Sequence, residues 1–148
     1  MRYVLNCTVA ALWALWFGGL ITLFLSVTAL FGADHDLAVR AAPILFRRFE
    51  FYQLILAGSA IAAALVWRRT ARSGARLVIL VAFVLAGIGS TVAREAITPR
   101  LEALVLSGQG KSAQFMSLHG TSMLIYLADT AALAVAGLAL PAAMESSK

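Results

Sequence analysis

Four apolar runs, approximately 9–31, 51–67, 77–93 and 120–140, take up most of this 148-residue chain. A helix needs ~20 apolar residues to cross ~30 Å of hydrocarbon, and each run comes close to that length. Hydrocarbon supplies no hydrogen bonds, so a backbone crossing it must satisfy its own N–H and C=O groups, as a helix does. The expected fold is therefore all-α, an integral membrane four-helix bundle forming one domain over 1–148. Composition agrees: 61% of the residues are hydrophobic and 13% charged, against roughly 25% charged in soluble domains.

The first run reads as a retained helix. Its ~23 residues exceed the roughly 7–15 of a signal-peptide core, and the bulky Phe31 sits badly for cleavage after Ala33. Cys7 is the single cysteine, which excludes an internal disulfide and a CxxC pair. The net charge is +5, but no aromatic residues are interleaved with the basic ones in a stacking pattern. A basic membrane protein meets anionic headgroups, so the expected partner is the bilayer and not nucleic acid.

Orientation follows from the loops. Arg68, Arg69, Arg72 and Arg76 crowd the second connection beside Trp67, with no acid among them. Such density argues for the cytoplasmic side, with Trp67 as an interface anchor and both termini inside. Basic totals do not discriminate, because Arg40, Arg47, Arg48, Arg94, Arg100 and Lys111 balance Arg2, the four loop arginines and Lys148. The bias of Arg over Lys suggests a bacterial inner membrane.

The other connections hold local signals. Residues 32–50 read as a charged loop, its 38–49 part at headgroup level, with Pro43 opening the second span. Asp34-His35-Asp36 reads as a solvated turn, since three adjacent loop residues do not define a metal ligand set. Thr98 before Pro99 predicts an N-cap, opening a short helix that closes at Gly108 and lies along the membrane surface between spans three and four. Gly110-Lys111-Ser112 lacks the earlier glycine of a phosphate loop and follows no strand. The pairs Gly18-Gly19 and Gly87-Gly89 predict helix-packing faces.

The fourth run carries the sharpest chemistry. Met116, His119, Met123 and Tyr126 fall at helical offsets that share a face. Thioether and imidazole suit copper(I), making Met116, His119 and Met123 the candidate metal ligands; Met is also a common gap-filler, and packing is the reading adopted. A haem between His119 and His35 would need a loop residue as its second ligand. No cofactor is expected. Asp129 is different, because a central acid is disfavoured by about 2.5–3.5 kcal/mol and must face the bundle interior. Helix rise places Thr22 and Ser59 near its depth, with Ser26, Ser90 and Tyr126 somewhat closer to the outside, as an intramembrane polar layer. Glu50, Gln53, Arg94, Glu95 and His119 would then gather as an outer polar cluster.

Several spaced motifs together resemble the transmembrane protein 205-like family, a four-helix membrane domain without an assigned activity. They are Trp16-Phe17-Gly18-Gly19, Ala42-Pro43-Ile44-Leu45-Phe46, Arg94 with Pro99, and Phe115 with Leu118-His119-Gly120 and Ser122. The resemblance implies four spans and points to His119 and Ala42-Pro43 as family-type positions. It implies no catalytic role, and Asp129 belongs to none of its motifs.

Two functions compete. The first is a non-catalytic accessory or scaffold subunit packed against a larger membrane protein or further copies of itself; the second is a proton or metal-cation carrier using His119 and Asp129. A haem-linked redox protein is third, lacking a second spanning His. No nucleophile–base pair marks an enzyme. The topology has a direct check: a reporter that fluoresces only in the cytoplasm is expected to light up when fused after Lys148 and to stay dark at Gly110. The opposite pattern inverts the arrangement.

Overall fold

The computed structural model describes residues 2–145, the side chain of Arg2 excepted; Arg2 and Lys148, both used in the charge tally, therefore have no described side chains. Helix α1 is Arg2–Ala33, α2 is His35–Thr70 and α3 is Gly74–Val92. A π turn over Ala93–Ile97 leads into α4, Thr98–Leu106, and α5 is Ala113–Glu145. Four helical stretches are long and apolar enough to cross a membrane: Tyr3–Ala33, His35–Thr70, Gly74–Leu106 and Ala113–Glu145. α1 packs on α2 and α5, and α3 packs on α2 and α5, so α2 and α5 occupy opposite corners.

The helices are longer than the hydropathy runs. No loop separates the first two: Asp34 alone breaks the chain, and its carboxylate accepts from Leu37 N–H at 2.9 Å as the N-cap of α2. Asp34 is thus a cap, His35 and Asp36 are already helical, and Pro43 lies inside α2 instead of opening it.

The expected surface helix after Pro99 is also changed. Thr98–Leu106 is present and ends as foreseen, with Gly108 at φ 76° and the bonds Gly108 N–H to Val105 O and Gln109 N–H to Leu104 O closing it. It does not start at a cap, however, but continues α3 without interruption. Pro99 has no N–H and its ring crowds the carbonyl one turn back, so the backbone widens: Thr98 N–H reaches Ala93 O, five residues away.

Buried positions recur at alternating three- and four-residue steps. The series Arg76, Ile79, Phe83, Ala86, Ser90, Ala93, Ile97 runs along α3 and the π turn, and Tyr126, Asp129, Leu133, Ala136, Leu140, Ala143 along α5. This is the inward seam of a left-handed bundle. Small residues let the helices close. Glycine at 137 leaves room for the Trp13 indole, whose Nε1 donates to Leu133 O at 2.7 Å, and Gly87 meets Ala57 and Ile61. Gly19 packs on Phe49, whereas Gly18 faces open space and contributes no packing face within the chain.

Trp67, expected as an interface anchor, and Arg76, expected in the second connection, are core residues, with exposures of 0% and 1%. Arg76 Nη1 donates to Trp67 O at 2.8 Å, Thr70 Oγ1 at 3.0 Å and Ala71 O at 3.2 Å, and its Nε donates to Ala143 O at 3.2 Å. Its guanidinium lies 4.5 Å from the Trp67 ring centre, while Trp67 Nε1 donates to Asn6 Oδ1 at 2.7 Å. One cation thus joins the carbonyl-rich C-terminal ends of α2 and α5, where the helix dipoles are negative. Arg76→Ala is expected to destabilise the detergent-solubilised protein by on the order of 3 kcal/mol, since charged hydrogen bonds contribute about 1.5–3 kcal/mol each. Lysine at 76 should restore less than half, having no planar fork; thermal unfolding of the two variants measures both.

Candidate functional site

The bundle interior carries a polar layer at seam positions where apolar residues would be expected. Glu50 and Gln53 come from α2, Ser90 from α3, and Tyr126 and Asp129 from α5; exposures run from 0% for Gln53 to 8% for Tyr126. Thr98 of α4 joins them. Tyr126 Oη donates to Glu50 Oε1 at 3.0 Å, and Thr98 Oγ1 donates to the same oxygen at 2.6 Å. Ser90 Oγ donates to Asp129 Oδ2 at 3.2 Å. The Phe46 ring, 5.4 Å from that of Tyr126, covers the group.

Each partner is placed by local structure. Because Thr98 lies inside a continuous helix and not at its start, its hydroxyl is not used as a cap and is free to reach Glu50. Gly89 lets α3 approach α5 closely enough for Ser90 to meet Asp129; a Cβ at 89 would collide with the Asp129 carboxylate. α2 and α5 run in the same direction. Gln53 follows Glu50 by one turn, as Asp129 follows Tyr126, so the pairs Glu50/Tyr126 and Gln53/Asp129 sit at successive heights about 4.5 Å apart. Both polar atoms of the Gln53 amide are buried without a hydrogen-bond partner among the described residues.

Among the described residues neither carboxylate lies within 4 Å of a basic nitrogen; the ion pairs there are Arg47–Glu102 at 3.7 Å and Arg94–Glu95 at 3.2 Å, both at the surface. Hydroxyls are the partners instead. A hydroxyl donates to a carboxylate or accepts from a carboxylic acid, so either protonation state can be accommodated.

The sequence-derived groupings are redistributed. Ser90, Tyr126 and Asp129 are buried in the layer, whereas Thr22, Ser26 and Ser59 are exposed on outer faces. The outer cluster divides: Glu50 and Gln53 belong to the interior, Arg94 and Glu95 pair outside with Arg94 5.4 Å from the Phe51 ring centre, and His119 stacks on Phe115 at 5.9 Å on an exposed face. Met116, His119 and Met123 share an arc of α5 that is open at this end, Met116 being 60% exposed. The same arc is covered from Tyr126 onward.

Glu50 and Gln53 lie deeper in the bundle than the apolar run starting at 51 places them. α2 begins at His35, so Glu50 lies about 15 residues, or ~22 Å, into its helix, and Asp129 lies about 16 residues, or ~24 Å, into α5. A signal was present: stepping back from Trp67 by threes and fours gives Ala64, Ala60, Ala57, Gln53 and Glu50, all buried.

No family model, curated protein or solved structure matches this chain.

The close approach at Gly89 has a measurable consequence. Gly89→Ala is expected to destabilise the protein by roughly 1–3 kcal/mol, the usual range for overpacking. Gly18→Ala, where the added methyl meets open space, should be nearly neutral. Thermal unfolding in one detergent compares the two.

Proposed function

We propose that the chain spans the bilayer as a proton carrier, with Glu50 and Asp129 taking up and passing on the proton near the middle of the bundle. The observation that supports this is the pairing of two acids, each 2% exposed, with hydroxyl partners and no cation beside either among the described residues. Each acid in hydrocarbon must keep a proton or exchange it for another cation, because a bare charge there is costly. Tyr126 and Thr98 hold Glu50, Ser90 holds Asp129, and the unpartnered Gln53 amide lies one turn along α2 from Glu50, at the height of Asp129. The hand-off runs between Glu50 and Asp129 over one helical turn.

This is the carrier reading with a different first residue. His119 is at the exposed end of α5, about 15 Å from Asp129 by helix rise, and Glu50 takes its place. Among the described residues no three of His, Cys, Asp and Glu form a metal-holding group. Membership of the transmembrane protein 205-like family is part of the proposal and assigns no role to either acid. An accessory subunit of a larger membrane assembly is the second reading, favoured by the open helix surface above Gly18, Gly58 and Gly120; co-purification of one larger partner in mild detergent would support it.

The carrier reading is tested in liposomes holding a pH-sensitive dye, with potassium and valinomycin to clamp the potential. The wild-type protein is expected to dissipate an imposed proton gradient, and Asp129→Asn and Glu50→Gln to lower that rate at least tenfold. Gln53→Leu should cost no stability, since it removes an unsatisfied buried amide, yet slow the transfer. His119→Ala should leave it unchanged. Wild-type rates in both acid variants would sink the reading.

A further inference from the structure

Asp129 has a second side. Its Oδ2 accepts from Ser90 in the interior, while its Oδ1 is the atom nearest to the position a Cβ would take at Gly89. Gly89 and Asp129 are both among the lining residues of a groove of about 340 Å³ between α3 and α5. Its walls are Leu85 and Ile88 of α3 and Ile125 and Ala128 of α5; Leu85 is 57% and Ile88 56% exposed, so the groove opens on the outer face of the bundle. Apart from the acid, these lining residues are apolar.

The other side of α3 supplies an internal comparison. A groove of about 390 Å³ between α2 and α3 is lined by Ala57, Ile61, Val84 and Ile88 among others, and no acidic residue reaches it. The two grooves are similar in size and share Ile88. An acyl chain would suit both; only the α3/α5 groove presents a carboxyl group to its occupant.

We propose that the α3/α5 groove binds a lipophilic cation, a compact apolar body bearing one positive charge, with Asp129 as its counter-ion. The volume lies within the ~300–1,000 Å³ of small-molecule sites, and apolar walls with one placed charge are their usual composition. The exchange balances: the cation enters from the hydrocarbon, the O–H bond of the Asp129 carboxyl breaks, its proton leaves to the aqueous phase, and the carboxylate that remains neutralises the cation. No other charge is created. The titratable groups facing Asp129 are Tyr126, one turn earlier on α5, and beyond it Glu50 of α2; α3 presents Gly89 and Ser90, which do not titrate, and α1 meets α5 at Trp13 and Leu133. This inference rests on the reading of Asp129 as a proton-exchanging acid.

The probe is tetraphenylphosphonium, which has no hydrogen-bond donor, with tetraphenylborate as the anion of the same shape. Calorimetric titration of the full-length protein in detergent, in two buffers of different ionisation enthalpy, counts protons. The cation is expected to bind with release of about one proton, and the anion not to bind. Asp129→Asn should weaken cation binding at least tenfold. Leu85→Trp, filling the α3/α5 groove alone, should do the same while proton dissipation in liposomes persists; Val84→Trp, in the α2/α3 groove, should change neither.

Equal binding of the anion, equal loss with Val84→Trp, or binding without proton release would each overturn the proposal. So would an Asp129→Asn variant that binds like wild type. Absence of cation binding in a protein that still dissipates a proton gradient defeats the groove and leaves the carrier reading standing. Absence of both defeats the carrier reading as well.

Discussion

Four helices long and apolar enough to cross a membrane offer a buried polar atom few partners, and the bundle has to gather its polar side chains against one another. This chain does so at two levels. At the end where α2 and α5 finish, Arg76 collects the carbonyls of both helices and stacks on Trp67. Mid-bundle, the hydroxyls of Thr98, Tyr126 and Ser90 meet the carboxyls of Glu50 and Asp129. The first is a cation on fixed dipoles and stabilises one geometry. The second uses groups that both donate and accept, so it tolerates a change of protonation without a change of partner.

The two levels depend on backbone devices that look unrelated to them. Pro99 forces the π turn; the turn keeps Thr98 inside a continuous helix, and its hydroxyl becomes a ligand of Glu50 instead of a cap. Gly89 removes the one Cβ that would hold α3 away from Asp129. Neither residue carries chemistry, but each decides whether an acid is satisfied.

In the proposed mechanism Asp129 belongs both to the interior layer and to the lining of the outward groove. A proton arriving by way of Glu50 and a cation arriving from the lipid would then compete for the same carboxylate. Competition at a single acid is the simplest form of coupling, since it needs no second site and no change of fold.

Much of the architecture was legible along the chain. The four apolar runs fall within the four long helices, α4 ends next to Gly108, and Asp129 is buried. Hydropathy misplaced the ends, because Asp36, Arg40, Arg47 and Arg48 look like loop residues whether or not the helix continues beneath them. It also misread Trp67 and Arg76, whose pattern of aromatic followed by basic residues is shared by a membrane interface and by a buried cation on an indole. Thr22 and Ser59 were matched to Asp129 by depth alone, and depth says nothing about which way a residue points. The sequence by itself determined how many helices form and that one acid had to face inward, since both follow from the chain's own solvation. Only the tertiary structure decided that Glu50 and Gln53 share a layer with Asp129, because that depends on where each helix starts and how it is rotated against its neighbours.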